Sequence, residues 1–318
     1  MFKEINALRL TARLALVLPF AAVLCAPSPG FADPLLGSDL ASFAALGATP
    51  SVTNTGATSL IGDVGVSPAA SITGQATLTV NGVNALLNPG DVHLNDLTAI
   101  NGQSQLGIAR TNLGLMGPGT TLLNPDLSGL TLTPGVYTVP AGASNLTTLL
   151  GALTLDGLGN ANAGWVFQMP STLNTSSGSV VNVINTGAGA GVYWNVGSSA
   201  ILGSTTSFQG NILALTDITL ITGATIGCGR ALADGAQVKM NTNTINSVGC
   251  EGTGEEGSFG LSGGLTVPAG GGTPVFLPFV PVGGGNGNGG HVPEPSTLLL
   301  LGSGLVGLAG VAWRRHRK

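Results

Sequence analysis

VYWNVGSSAILGSTTSFQGNILALTDITLITGATIGCGRALA, residues 192 to 233, holds only two charges, Asp217 and Arg230. Its apolar runs are strand-length, VYWNV at 192–196 and NILAL at 211–215, and small-residue segments divide them, VGSSAIL at 196–202 and TGATIG at 222–227. Short apolar runs bounded by Gly, Ser and Asn read as strands joined by turns. Thr216, Thr219, Thr222 and Thr225 recur at every third position, whereas side chains along one strand alternate with period two. The stretch therefore turns a corner. With Gly223 at the bend, Ile218 and Leu220 point inward before it and Ala224 and Ile226 after it, so Thr219 and Thr225 face solvent on adjoining faces.

Working outward, the same grammar recurs in ATLTV (76–80), LTLTPGVYTV (130–139), GWVFQM (164–169) and VVNVIN (180–185). Small-residue corners open SGSVVN (177–182), VGSSAIL (196–202), TGATIG (222–227) and DGAQVK (234–239). Their glycines, Gly178, Gly197, Gly223 and Gly235, are unevenly spaced, so the repeat is irregular. Strands separated by such corners, with no crossover helices, fit a β-solenoid; a β-sandwich gives many short strands as well. One segment differs. Asp91 to about Leu115 lacks Pro and β-branched runs and sets Leu97, Ile100, Ser104, Ile108 and Thr111 three and four apart, which predicts one helix packed along a larger body. Gly102, Gly107 and Gly114 count against helix within it.

Charged residues make up 8% of the chain, against roughly 25% in an ordinary soluble domain. Between residues 33 and 292 the basic residues are Arg110, Arg230 and Lys239, against twelve acidic ones, a net charge of −9. Nucleic acid binding needs a basic stripe that displaces counterions, and none exists; the same deficit disfavours anionic lipid surfaces. Residues 1–32 read as a secretory signal peptide, with a basic start, an apolar run from Leu14 to Cys25, and small residues around Gly30 and Ala32. Export leaves Cys228 and Cys250 in a compartment that permits disulfides, as a bridge or as two separate thiols.

LLGSDLASFAALGATPSVTNTGATSLIGDVGVSPAASITG (35–74) resembles the opening of the secreted microbial ice-binding protein family, also called ice-binding-like adhesin domains. LTPGVY (132–137), LTLDGLGNANAGWVFQM (153–169), the opening stretch at 192–233 and NTNTI (241–245) continue the resemblance in order. The resemblance implies a mainly β, right-handed β-solenoid of triangular cross-section over residues 33–250, closed by non-sequential coils, with one long α-helix packed alongside. It also implies adsorption to ice through one flat, low-charge face rich in Thr and Ser, with no catalysis and no cofactor. A hydroxyl can hydrogen-bond water while the threonine methyl keeps that water loosely held, whereas charges would order water in geometries unlike ice. The candidate contacts are Thr175, Ser199, Thr206, Thr219 and Thr225. The alternative reading is a non-catalytic matrix or adhesion protein that uses the same scaffold toward exopolysaccharide.

VPEPSTLLLLGSGLVGLAGVAWRRHRK (292–318) joins a Pro-Glu-Pro motif, an apolar run from Thr297 to Trp313 and a basic end, and it resembles the PEP-CTERM sorting signal. That resemblance implies an exosortase as processing partner, acting at Val292, Pro293, Glu294 and Pro295. Residues 297–313 would insert transiently as a membrane helix whose basic end stays cytoplasmic, in a Gram-negative bacterium. Residues 251–291 then read as a Gly- and Pro-rich linker, although TPVFLPFVPV (273–282) is more apolar than a spacer requires.

An enzyme is not expected. Acid-base work on sugars needs paired carboxylates, and Asp63, Asp156, Asp217 and Asp234 stand singly near Gly or Thr turns, where Asp accepts backbone hydrogen bonds. His93 is the one histidine within residues 33–250, which leaves nothing there to build a histidine metal cluster; it is expected to serve the helix start. Arg230 is expected to hold a turn carboxylate internally.

Overall fold

The computed structural model describes residues 33–141, 146–149, 151–248, 259–268 and 271–282. The signal peptide and the sorting signal lie outside these residues. The protein is mainly β with few helices, and almost all of its strands pair in parallel.

The strands stack in three parallel ladders. The first runs from Thr120–Thr121 through Gly135–Thr138, Gly164–Met169, Gly191–Val196 and the second halves of Ser207–Ala214 and Thr225–Ala233. It then continues into the N-terminal strands Phe43–Gly47, Asp63–Val66 and Val92–Leu94. The second ladder links Thr172–Thr175, Ala200–Leu202, Ile218–Leu220, Val238–Asn241, Val52–Thr55 and Ile72–Thr73. The third links Ala152–Asn160, Val180–Thr186, residues 207–208 and 225–226, Thr244–Asn246, Thr58–Ile61 and Leu78–Val80. In every ladder the N-terminal strands stack on the C-terminal ones, so chain order and spatial order differ.

Alternate side chains of each strand meet in the space between the ladders. One inward row of the first ladder reads Tyr137, Phe167, Trp194, Ile212, Ala231, Ala45 and Val64, all buried. Phe167 and Trp194 stack with centroids 4.0 Å apart, and Phe208 lies 5.0 Å from Trp194. Each aromatic buries a large apolar area, so the aromatic layers enclose more volume than the alanine layers.

The opening stretch bends as its threonine spacing requires. Ile218–Leu220 belongs to the second ladder and Thr225–Ala233 to the third and first; Ile218, Leu220, Ala224 and Ile226 are buried. Gly223 sits at the bend with φ 73°, where a side chain is strained. Neighbouring layers turn the same corner through Gly178, Thr205, Thr242, Gly56 and Gly74, all with positive φ. Threonine occupies two of these positions, and Gly197 and Gly235 lie at a different corner, between the first and second ladders, so the four glycines of the uneven repeat mix two corners.

Three expectations need correction. The helix, Leu97–Leu115, begins six residues later than its periodicity predicts, because residues 92–94 join the first ladder and Asp96 caps the helix by accepting from the Ala99 N–H at 2.9 Å. Its packed face is also the opposite one. Ala99, Gly102, Leu106, Ala109 and Leu113 are buried, while Leu97, Ile100 and Ile108 are exposed. A Cβ on Gly102 would stand 2.8 Å from the Phe43 ring, so the glycine that argued against helix is what allows the close approach. A second buried cluster, including Leu36, Leu40, Phe43, Leu46, Val166, Tyr193, Leu213 and Leu232, fills the space between helix and first ladder.

A second correction concerns the linker. Residues 259–268 and 271–282 return to the body. Leu265–Val267 pairs antiparallel with Asp33–Pro34 and with Val275–Phe276, and TPVFLPFVPV continues to Asn160, where the Ala161 N–H donates to the Val280 carbonyl. Arg230 anchors this segment. It is buried, and its guanidinium donates to the carbonyls of Ala41, Ser247, Phe259 and Gly260 and to Asn211 Oδ1, at 2.7–3.1 Å. No carboxylate is among these partners, contrary to the sequence expectation, because backbone carbonyls converge there from three parts of the chain. Burial draws the Arg230 pKa down to about 10, still charged at neutral pH. Burial likewise pushes the Tyr193 hydroxyl pKa up, keeping it a donor to Ser262 and Gly263.

Candidate ice-binding face

The third ladder presents an outward row in register: Ser207, Thr225, Thr244, Ser59 and Thr79. All five are half-buried or exposed. Each precedes an inward apolar residue, Phe208, Ile226, Ile245, Leu60 and Val80, so the alternation of the strand fixes which side the hydroxyl takes. Neighbouring strands lie about 4.8 Å apart, and the row therefore repeats a hydroxyl at that interval over five layers. Around the corner, Thr205, Thr222, Thr242 and Thr55 are exposed on adjacent layers, joined by the bonds from Thr205 N–H to Thr222 C=O and from Thr242 N–H to Thr55 C=O. Asn241 Nδ2 donates to Thr222 Oγ1 at 3.0 Å, fixing one of these hydroxyls. No Asp, Glu, Lys or Arg stands in either row.

The second ladder's outward row is different: Ile201, Thr219, Lys239, Thr53 and Thr73. Lys239 is exposed in its middle, and Asp217 lies on the same strand end as Thr219. Of the sequence-predicted contacts, Thr225 lies on the uncharged row of the third ladder. Thr219 lies beside Lys239. Ser199 belongs to the second ladder's edge, with its hydroxyl 2.8 Å from that of Thr216. Thr175 and Thr206 must be withdrawn as surface contacts: both are buried, and their hydroxyls bond each other at 2.9 Å on the inside of the corner. There they do the work that Asn243 does one corner along, where its side chain donates to the carbonyls of Ile221 and Ala224. Turning the backbone inside a closed stack leaves polar groups that need such partners.

Sequence reasoning missed Ser207, Thr244, Ser59 and Thr79. A signal existed, a hydroxyl residue immediately before an aliphatic or aromatic one after each corner. What it did not reveal is that Ser59 lies beside Thr244, far away in sequence.

Cys228 is buried and disulfide-bonded; Cys250, its expected partner, lies outside the described residues. The isolated carboxylates have structural partners. Asp156 Oδ1 accepts from the Leu158 N–H and the Asn185 side chain, which together hold its pKa below the usual range. Asp234 pairs with Arg110 at 2.8 Å. His93 Nδ1 lies 2.7 Å from the helix-capping Asp96, and its Nε2 lies 3.7 Å from Asp63. Among the described residues no group of His, Cys, Asp or Glu is arranged to hold a metal ion, and no helix is long and apolar enough to cross a membrane.

The ice-binding-like family model matches residues 46–246. The chain belongs to that family, and the PEP-CTERM protein-sorting motif matches residues 291–318. Among its relatives, an ice-binding protein of Nostoc sp. (strain HG1) is 38% identical over 87% of this chain and 86% of that protein. An ice-binding protein of Flavobacterium frigoris is 32% identical over 64% and 74% respectively. The crystal structure of an ice-binding protein from the Antarctic ascomycete Antarctomyces psychrotrophicus superposes with a TM-score of 0.59 at 32% identity, covering 70% of this chain and all of that one. Ice binding is a non-enzymatic role, and with the sorting motif it marks an extracellular or cell-surface protein.

Proposed function

We propose that this protein adsorbs to ice through the outward face of the third ladder and blocks crystal growth or recrystallisation there. The observation that carries this is the row Ser207, Thr225, Thr244, Ser59 and Thr79. The three ladders are read as the sides of a right-handed β-solenoid of triangular section. Layer-on-layer stacking resists the twist of ordinary sheets, which keeps such a row straight enough to meet a crystal plane. Methyl and hydroxyl groups at a fixed interval hold water in an ordered array without the strong hydration shell of a charge. The C-terminal signal is read as a transient inner-membrane anchor through residues 297–313, processed by an exosortase at Val292–Pro295, which leaves the body secreted or attached to the cell envelope.

Thermal hysteresis and ice recrystallisation assays test the face. The double variant Thr225→Tyr, Thr244→Tyr is expected to lose activity by about tenfold, equivalent to ~1.4 kcal/mol of adsorption, with its melting temperature little changed. Full activity in this variant, alongside loss in Thr219→Tyr, Thr53→Tyr, would move the site to the second ladder.

A further inference from the structure

The segment TPVFLPFVPV has more to it than closure of the fold. Its backbone is tied down: Leu277 N–H donates to Gly264 C=O, Val280 N–H to Asn160 Oδ1, and Val282 N–H to Gly159 C=O. Pro274 is buried and Leu277 half-buried, but most of its other side chains are open. Val275, Phe276, Phe279, Val280 and Val282 are 40–64% exposed, and Leu158, next to Gly159, is 63% exposed. Six exposed apolar side chains on one segment and the turn beside it are the kind of surface at which interactions form. The chain then continues from Val282 through nine residues, GGGNGNGGH at 283–291, to the sorting motif and its apolar run. Fully extended, nine residues span at most ~30 Å. From Glu256 to Glu294 there is no intervening Asp, Glu, Lys or Arg, so nothing in this region favours a charged partner.

We propose that this apolar strap rests on the lipid surface of the membrane that holds the C-terminal run, seating the body against the bilayer while the chain is anchored. The proposal builds on the reading of residues 297–313 as membrane-inserted. Partial burial of phenylalanine and valine at the boundary of headgroups and acyl chains provides the attraction. The acidic body, −9 over residues 33–292, favours a neutral lipid surface over an anionic one. Seated this way, the body meets the membrane through the corner at Gly159–Ala161, at the end of the ladders away from Leu87.

The test uses the full chain reconstituted into phosphatidylcholine vesicles whose acyl chains carry bromine, a short-range quencher of tryptophan. Trp165 and Trp194 are fully buried and supply an unquenched background. A Phe279→Trp probe in a Trp313→Phe chain is expected to lose emission and shift to the blue, while a Leu87→Trp probe in the same chain does neither. Both replaced side chains are largely exposed, so neither probe threatens the fold. If the Phe279→Trp probe stays unquenched while natural Trp313 is quenched in the unaltered chain, the strap proposal is overturned and membrane insertion stands. If Trp313 is unquenched as well, the insertion reading falls and takes the strap with it. Equal quenching at both probes means indiscriminate adsorption and also overturns the proposal.

Discussion

The outward surfaces of the first and third ladders are built by the same layers and have opposite fates. On the first, Val166, Tyr193, Leu213, Leu232 and Arg230 are buried beneath a helix, the N-terminal segment and the returning strap. On the third, the equivalent positions are Ser207, Thr225, Thr244, Ser59 and Thr79, half-buried or exposed, and none of the described elements packs over them. Large apolar side chains and a guanidinium must be covered to be stable. Small hydroxyl side chains need no cover, since water satisfies them. The composition of an outward row thus decides whether that side of the stack becomes core or working surface.

The covered side breaks hardest. Arg230→Met deprives four backbone carbonyls and Asn211 Oδ1 of their donor, and each buried acceptor left unsatisfied costs about 1–3 kcal/mol. Denaturant unfolding should read this as a lower midpoint, and proteolysis should release residues 259–282 first; the folded fraction keeps its ice activity because the third ladder is untouched. The tyrosine pair at Thr225 and Thr244 is the converse experiment, with activity lost and stability kept. An unchanged unfolding midpoint in Arg230→Met would show that the strap holds without its anchor.

A smaller effect sharpens the contrast between the two open sides. Lys239→Thr converts the second ladder's outward row to Ile201, Thr219, threonine, Thr53 and Thr73, so hysteresis should rise modestly if charge is what spoils that face. No rise would mean that Ile201 and Asp217 already disqualify it. The smallest effect is electrostatic. Side-chain donors Asn81 and Asn88 hold the Asp91 carboxyl below its ordinary range. A depressed folded pKa gives stability that is present above the unfolded value and lost as pH falls through the folded one. Melting curves of Asp91→Asn against the unaltered chain should therefore differ near neutral pH and converge at acid pH; a constant gap across that range would assign the difference to packing.

Much of this was legible in the residues. The corner at Gly223, the inward set Ile218, Leu220, Ala224 and Ile226, and strands such as Gly164–Met169 follow from alternation and turn chemistry alone. The helix shows where periodicity misleads: Leu97, Ile100 and Ile108 form an apolar stripe, yet the opposite face packs, because Gly102 fits against the Phe43 ring where a larger residue would not. Close approach, not hydropathy, chose the buried face. The linker reading failed for a related reason, since glycine and proline suit an extended strap as well as a flexible spacer, and only tertiary contacts, strand pairing with Asp33–Pro34, backbone bonds to Gly159–Ala161 and the carbonyls gathered at Arg230, distinguish them.

The sequence by itself determined the local units: which runs are strands, where they bend, and that hydroxyls rather than charges would meet the solvent. Those are consequences of neighbours within a few residues. The tertiary structure decided which threonines stand in one row, which two are sealed inside the corner, and that Ser59 lies beside Thr244. Register between layers is set by stacking partners far apart in the chain, and here the N-terminal layers stack on the C-terminal ones, so no local pattern could have carried that information.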